Sequence, residues 1–181
     1  MNVLHPTLWR TCRVLANPVR LRVLQHVIRH SESCVSAVAR ACNLPLSSTT
    51  LALRAQQARG LLGVRREGLF VIYFATADNS VEHAAAVLAA LRRSFQRDDQ
   101  PAEIIRAATA FTHARRITIV QALAKAPTVA ADLSVLCGIS RPALYRHLDK
   151  LGRRGVVAVA PDDNWHLTTR AHGSSRTCWR C

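Results

Sequence analysis

The sequence lacks a hydrophobic run long enough to cross a membrane. A transmembrane helix needs about 20 consecutive apolar residues, and no run in this chain of 181 residues approaches that length. The opening stretch, MNVLHPTLWRTCR, also lacks the charged-then-apolar order of a secretory signal. We therefore expect a cytoplasmic protein with no membrane partner.

Acidic residues are scarce as well. The chain has 11 Asp and Glu against 25 Lys and Arg, which gives a formal net charge of +14 and a pI near 11.2. Only Lys125 and Lys150 are lysines. Arginine in place of lysine, as codon bias can produce, does not create net charge, so the excess itself indicates a polyanionic partner. Double-stranded DNA is the partner that we expect, and the protein would then be associated with the nucleoid.

The arrangements of residues that carry catalysis are also missing. The acids are scattered, and no glycine-rich phosphate loop or serine nucleophile elbow is present. His113 and His147 have no partner carboxylate in helical register. We therefore expect no catalytic residues, no cofactor and no enzymatic activity.

The six cysteines do not indicate a disulfide framework, because the cytoplasm keeps thiols reduced. Three lie inside apolar patterns and are interpreted as small core residues: Cys12, Cys42 and Cys137. Cys34 opens a helix and stays ambiguous. Cys178 and Cys181 have chelating spacing, but one such pair supplies only two of the four ligands of a structural zinc site. No metal site is expected, although these two cysteines, joined by Cys34 or His172, remain candidate metal ligands or redox thiols.

What the sequence does contain is an internal repeat. LANPVRLRVLQ at 15–25 matches FTHARRITIVQ at 111–121, and ARGLLGV at 58–64 matches RRGVVAV at 153–159. The offset drops by one residue between the two matches, so one connection is longer in the first half. A chain of this length can bury two small cores. The repeat therefore predicts two similar domains.

Each half predicts helices followed by a β-hairpin. In the first half, Asn17 and Pro18 cap and start a helix that ends near Ser31, and a short helix follows at about 34–42. Ser47 and Ser48 are expected to cap a third helix that runs to Arg59. Strands from Leu61 and Leu69 then flank a tight turn at Glu67 and Gly68. The second half repeats this order, with helices at about 114–125, 129–137 and 141–153.

Further helices are predicted outside the two repeats. One leads the chain at about 7–16, Ser80 caps an alanine-rich helix at 81–97, and another helix follows at 102–112. The predicted fold is mainly α with small β-wings (α+β), as two tandem winged helix-turn-helix domains. The predicted boundaries are 1–97 for the first domain with its following helix, 98–101 for a linker, 102–169 for the second domain and 170–181 for a tail.

The stretch from Gly138 to Val157, GISRPALYRHLDKLGRRGVV, resembles the recognition segment of ArsR-type winged-helix repressors. In that family a turn, a helix of the form L-Y/S-x-H-L-x-x-L and a closing G-L-V recur. LANPVRLRVLQHV in the first half is similar to the family's L-x-x-P-x-R-L-x-I-L helix. The resemblance covers about residues 8–169, but the usual member carries one such domain and pairs with a second copy. It implies a sequence-specific DNA-binding transcriptional regulator, with repression as the expected effect.

The recognition helix of the second half supplies the first set of candidate DNA contacts. An α-helix fits the major groove, which is about 12 Å wide. With the leucines of this helix on the core side, its outward residues are Arg141, Tyr145, Arg146, Lys150 and Arg153. Arginine can donate two hydrogen bonds to guanine, tyrosine can reach a phosphate or a thymine methyl, and the last two residues suit the phosphate backbone.

The matching helix of the first half, SSTTLALRAQQAR, departs from this pattern. Gln56 occupies the position of Leu151, and Ala52 that of His147. The surface is richer in hydroxyls and amides than in basic groups. The candidate DNA contacts here and in the neighbouring wing are Ser47, Ser48, Thr50, Arg54, Arg59, Arg65 and Arg66.

Several functional alternatives remain open. One chain can act as a pseudo-dimer in which each domain reads half of a DNA site, or two chains can form a homodimer. The first domain can instead be a purely structural partner, or the whole chain an architectural DNA-binding or protein-interaction module. A thiol-based metal- or redox-sensing repressor is a further alternative. However, the helix at Cys34 reads Cys-Val-Ser instead of a cysteine pair, and the Glu82-His83 pair lacks matching ligands.

Overall fold

The computed structural model describes residues 7–168, which divide into two compact units. The first, here called the first module, contains the described residues up to Ile105, and the second module begins at Arg106. No helix within the described residues is both long and apolar enough to cross a membrane.

The first module combines helices with a small antiparallel sheet. Its helices are α1 (Leu8–Leu15), α2 (Pro18–Arg29), α3 (Val35–Ala41), α4 (Leu46–Gln57) and α5 (Ala84–Gln96). Its strands are β1 (Glu32–Cys34), β2 (Gly63–Glu67) and β3 (Phe70–Phe74), in the order β1-β3-β2. Helix α6 (Pro101–Ala110) contains the boundary between the two modules.

The starts of the helices agree only partly with the sequence-based caps. Asn17 caps α2 as predicted, since its side chain accepts a hydrogen bond from the Arg20 amide at 2.9 Å. Helix α4 begins earlier than predicted, because Pro45 takes the N-cap position and its carbonyl accepts from the Thr49 amide at 3.0 Å. Ser47 and Ser48 therefore lie in the first turn and do not cap the helix. The predicted Ser80 cap of α5 is also wrong.

The hydroxyl of Ser80 is used elsewhere. It donates to the Asp78 carboxylate at 2.7 Å, and Asp78 also accepts from the Ser80 amide at 2.9 Å. This local turn precedes the helix, which begins only at Ala84. The Ser80 side chain is thus hydrogen-bonded to an aspartate two residues away and does not cap the helix.

The wing hairpin of the first module is formed by β2 and β3. Glu67 pairs with Phe70, so the two turn residues are Gly68 and Leu69, one residue later than predicted. At its base Gly63 pairs with Phe74, and a Cβ atom at position 63 would lie 2.5 Å from Cε2 of that ring. The close approach of the ring favours glycine there, because any larger residue would displace the Phe74 ring and the Thr76 methyl.

A buried glutamine interrupts the aliphatic core of the first module. The core contains Leu15, Leu21, Leu24, Leu53, Leu61 and Leu91, all almost fully buried. Gln56 is equally buried, and its amide Nε2 donates to the backbone carbonyl of Arg20 at 2.5 Å. Its Oε1 is buried without a hydrogen-bond partner. One half of this amide is therefore satisfied and the other half is not.

The second module has the same order of elements. Its helices are α7 (Ala114–Leu123), α8 (Ala130–Cys137) and α9 (Arg141–Gly152), and its strands are β4 (Thr128–Val129), β5 (Val157–Val159) and β6 (Asn164–Leu167). The sheet order β4-β6-β5 repeats that of the first module. The core includes Leu133, Ile139, Leu144, Leu148, Leu151 and Val157.

Equivalent turns in the two modules share their backbone geometry. Asn43 and Gly138, each between the two helices of a helix-turn-helix, are both left-handed, with φ of 48° and 60°. Gly60 and Gly155, each between the recognition-type helix and the wing, have φ of 69° and 68°. The predicted α+β fold with two winged helix-turn-helix units is thereby confirmed.

Candidate nucleic-acid interface

Helix α9 separates a buried face from an exposed basic face. Leu144, Leu148 and Leu151 are fully buried. The predicted contact residues all lie on the exposed surface: Arg141, Tyr145, Arg146, Lys150 and Arg153. The spacing of the leucines therefore determines which side chains a DNA groove could meet.

The exposed residues of α9 differ in how their charges are balanced. The Nε of Arg153 donates to the Asp149 carboxylate at 2.9 Å, which partly compensates its charge. Within residues 7–168 the side chains of Arg141 and Arg146 have no hydrogen-bond or ion-pair partner. These two guanidinium groups are available to a ligand without breaking an existing contact.

A shallow cleft beside α9 extends the basic surface. It is lined by Arg106, Thr109, Asp149, Lys150, Arg153 and Arg154. Basic side chains outnumber the single carboxylate, and Arg106 donates to the backbone carbonyl of Arg153 at 3.4 Å. A phosphate could approach this cleft with net electrostatic attraction.

A pair of histidines joins α9 to the start of α7, with His147 half-buried and His113 exposed. The rings of His113 and His147 are 4.7 Å apart between centroids. The Nδ1 of His113 accepts from the Arg115 amide at 3.1 Å and so caps α7. The Nδ1 of His147 is buried without a partner. The contact between the two histidines was not predicted from the sequence, because it joins residues 34 positions apart.

The pKa values of both histidines are lowered from the ordinary histidine value. Burial lowers the pKa of His147 to about 4, and the nearby positive charges, with His113 and Arg116 foremost, act in the same direction. Burial also lowers the pKa of His113, with Arg116, Arg115 and Lys150 adding to the effect. At neutral pH the basic face of α9 therefore takes its charge from arginine and lysine.

Helix α4 has the burial pattern of α9 but a different surface. Thr49, Leu53 and Gln56 are buried at the positions that Leu144, Leu148 and Leu151 occupy in α9. In the same register Leu46 stands where α9 has Arg141, and Leu51 stands where α9 has Arg146. These leucines are 58% and 69% exposed. Neither leucine was predicted from the sequence to be a contact residue.

The predicted contact residues of α4 are not equally available. Ser47, Ser48 and Arg54 are exposed. Thr50 is half-buried, and its hydroxyl donates to the Leu46 carbonyl at 2.8 Å, which occupies its only donor. Arg59 is half-buried with an unpartnered, buried Nε, and burial together with Arg10 lowers the pKa of its guanidinium.

The two arginines in the wing of the first module differ in whether carboxylates neutralise their charge. Arg65 is bound by the carboxylates of Glu32 and Glu67, which raise the pKa of its guanidinium. Arg66 is exposed, with no partner in the described part of the chain. The hairpin tip is apolar, since Leu69 is 100% and Phe70 61% exposed.

The described cysteines are all free thiols. Cys12 and Cys42 are buried and Cys137 is half-buried. Cys34 lies at the N-cap of α3, where a hydrogen bond with the Ser36 hydroxyl lowers the pKa of its thiol. Among residues 7–168 no three histidine, cysteine or acidic side chains form a group that could hold a metal ion. Cys178, Cys181 and His172 lie outside the described residues.

Comparison with known families identifies one segment of the chain. Residues 113–159, about a quarter of the sequence, match the model of the bacterial regulatory protein arsR family. The matched segment contains the whole helix-turn-helix of the second module and its recognition helix α9. The match supports a DNA-binding transcription regulator. A comparison with curated proteins gave no match.

Two solved structures are similar to about half of this chain. Reduced HlyU from Vibrio cholerae is 20% identical, with a TM-score of 0.40, over 49% of this chain and 84% of its own. The second is a homodimeric winged helix-turn-helix DNA-binding domain from Mycobacterium bovis, described as a possible ArsR-family transcriptional regulator. It is 28% identical, with a TM-score of 0.39, over 50% of this chain and 79% of its own.

Proposed function

We propose that this chain is a transcriptional repressor that recognises a specific double-stranded DNA sequence, with α9 in the major groove. The observation that carries the proposal is the pair of exposed, unpartnered guanidinium groups of Arg141 and Arg146 on the recognition helix of the arsR-matched segment. Arginine forms bidentate hydrogen bonds to guanine through O6 and N7. The second module would therefore read a guanine-containing half-site.

The remaining side chains of α9 position this helix on the duplex. Tyr145 is exposed one residue before Arg146, and Lys150 and Arg153 line the basic cleft beside the helix. Contacts to phosphates fix register and orientation but carry no sequence information. The net charge of +14 would supply the non-specific part of the affinity and make it fall steeply with salt. Such a protein would act on chromosomal DNA in the bacterial cytoplasm.

Selection of duplexes from a random DNA pool tests sequence specificity. We expect an enriched sequence that binds at least about a thousandfold more tightly than random DNA at the same salt concentration. If no sequence is enriched and all duplexes bind alike, the protein is an architectural DNA-binding protein and the proposed function is wrong. Salt titrations alone would not separate these outcomes, because both kinds of binding release counterions.

We further propose that one chain carries both halves of the DNA-reading surface and acts as a pseudo-dimer. The support is that each module has its own recognition-type helix and wing in the same order. Two-fold winged-helix dimers contact successive major grooves about 34 Å apart, and a tandem chain would do the same.

Light scattering and hydroxyl-radical footprinting on the selected duplex test the pseudo-dimer. We expect one chain per duplex and two protected major grooves. Two chains per duplex would indicate a homodimer instead, and a single protected groove would make the first module a structural partner. Either result would contradict the pseudo-dimer and leave sequence-specific DNA binding intact.

A further inference from the structure

We propose that the first module recognises the 5-methyl group of thymine through Leu51, so that the two halves of the DNA site are read by different chemistry. This inference rests on the proposed function. It adds that the half-site of α4 is specified by apolar contact, whereas that of α9 is specified by hydrogen bonds.

The register of α4 places Leu51 at a base-reading position. Thr49, Leu53 and Gln56 are fully buried, as are the three leucines of α9 at the equivalent positions. With the buried faces superimposed residue by residue, Leu51 takes the place of Arg146. Its side chain is 69% exposed, so packing within the module does not account for a leucine there.

The positions of α4 that correspond to the guanine-reading arginines of α9 carry no hydrogen-bond donors in their side chains. The position of Arg141 is taken by Leu46, and that of Lys150 by Ala55. The neighbouring Thr50 hydroxyl already donates to the Leu46 carbonyl at 2.8 Å, so it has no hydrogen left to donate to a guanine. The middle of this face therefore has apolar groups where α9 has hydrogen-bond donors.

Thymine is the natural DNA base that meets an apolar side chain with an apolar group in the major groove. All four bases present hydrogen-bonding atoms there, but thymine alone adds a methyl group, so a leucine facing guanine, adenine or cytosine would gain no apolar contact in return. Burying one methyl-sized group against leucine strengthens binding by about fourfold. We therefore expect thymine at the position that Leu51 faces.

The charges around α4 favour DNA over a protein as the occupant of this surface. Residues 1–97 carry 13 basic and 4 acidic residues, a formal charge of 13 − 4 = +9. Ser47, Ser48 and Arg54 are exposed on α4, and Arg66 is exposed on the wing. Hydroxyl and guanidinium groups beside an apolar centre suit phosphates beside a thymine methyl.

Replacement of thymine by deoxyuridine in the selected duplex tests the inference directly. Deoxyuridine keeps every hydrogen-bonding atom of thymine and lacks only the methyl group. We expect one or two thymines in the half-site of the first module whose replacement weakens binding by about fourfold each. In Leu51→Ala these positions should lose their preference for thymine over deoxyuridine, and the affinity for the unmodified duplex should fall by a similar factor.

Arg146→Ala is the matched control, because it changes the equivalent position of the other module. This variant should bind more weakly overall but keep the preference for thymine in the first half-site. Because Leu51 is exposed, we expect Leu51→Ala to unfold at the same temperature as the parent. Equal unfolding temperatures would exclude misfolding as the cause of a lower DNA affinity.

The outcomes separate this inference from the proposed function. If a specific duplex is selected but no deoxyuridine replacement matters, thymine reading by α4 is wrong and sequence-specific binding stands. The inference is also wrong if Leu51→Ala changes self-association by light scattering and leaves DNA binding unaltered, since the surface would then bind protein. If no duplex is selected, the proposed function itself fails.

Discussion

Helices α4 and α9 are built alike on the inside and unlike on the outside. Buried side chains recur at the same register in both, and the flanking left-handed turns at Asn43 and Gly138 also correspond. On the exposed face Arg141 and Arg146 of α9 are replaced by leucines in α4. The comparison shows that packing constrains the buried face of each helix-turn-helix and leaves the exposed face of its second helix free to change.

The largest expected effect is the drop in DNA affinity when the arginines of α9 are removed. Arg141→Ala with Arg146→Ala should weaken binding to the selected duplex by about 1–3 kcal/mol for each base that is no longer recognised, and relax the preference at one half-site. Titration at fixed salt measures this. The matched control is Leu46→Ala with Leu51→Ala, which should weaken binding much less. Equal affinity of the arginine variant and the parent would show that α9 does not read the DNA.

Gln56 of α4 and Leu151 of α9 occupy the same core position and differ in polarity. Exchanging the two residue types there should affect stability in opposite directions. Leu151→Gln places an amide among aliphatic side chains of the second module, and we expect a decrease of about 2–4 kcal/mol in its free energy of unfolding. Gln56→Leu removes a buried oxygen without a partner, so we expect the first module to be unchanged or stabilised by up to about 1 kcal/mol.

Hydrogen exchange followed by mass spectrometry of peptides from each module measures both stability changes separately. A strong destabilisation of the first module by Gln56→Leu would contradict the expectation. It would mean that the hydrogen bond from Gln56 to the Arg20 carbonyl outweighs the unpaired oxygen.

The pH dependence of stability should differ between the two modules. His147 of α9 can titrate, whereas Ala52 at the same position of α4 cannot. The folded-state pKa of His147 is lowered to about 4, whereas an unfolded histidine titrates near 6.5, so the unfolded chain binds the extra proton first. The stabilisation is present above pH 6.5 and is lost as the pH falls toward 4. The full shift would correspond to about 3 kcal/mol, and because His147 is only half-buried, solvent screening should reduce the destabilisation of the second module to about 1–2 kcal/mol.

His147→Gln tests this assignment, because glutamine is polar but does not titrate. The variant should unfold with a flatter dependence on pH between 6.5 and 4 in peptides of the second module. An unchanged pH profile would mean that other groups cause the acid sensitivity.

The smallest expected effect is that of metals and oxidants on DNA affinity. Cys34 of the first module stands where the second has Val129, and neither carries a complete set of thiolate ligands within the described residues. Zinc, arsenite or mild oxidation should therefore change the affinity by no more than about threefold. A large change that Cys178→Ser with Cys181→Ser abolishes would instead identify the tail as a sensor, and one abolished by Cys34→Ser would identify α3.

Periodicity and turn residues were sufficient to predict the helices of both modules. The exposed face of α9 followed directly, because leucines at helical spacing leave the intervening residues outward. Strands β1 and β4 were not predicted, since segments of three and two residues show no alternation. They form only because β3 and β6 provide partners from distant parts of the chain.

Two features of the site could not be predicted from the sequence, because they depend on contacts between distant segments of the chain. Arg65 was predicted to contact DNA. Its ion pair with Glu32 was not predicted, because it joins residues of different strands that are distant in the sequence. The contact of His113 with His147 likewise joins two helices. Leu51 was missed for another reason: in an amphipathic helix an apolar residue is assigned to the core by default.

The close approach of the Phe74 ring and the Thr76 methyl to Gly63 makes the residue at position 63 depend on both neighbours. In the second module Ala158 stands at the position of Gly63, yet the same alanine in the first wing would place a methyl 2.5 Å from the ring. A lineage or a mutagenesis library can therefore accommodate alanine at position 63 only if the Phe74 ring and the Thr76 methyl both move aside or are replaced by smaller groups. The order of substitutions is constrained, and the first wing would diversify at its exposed tip long before its base.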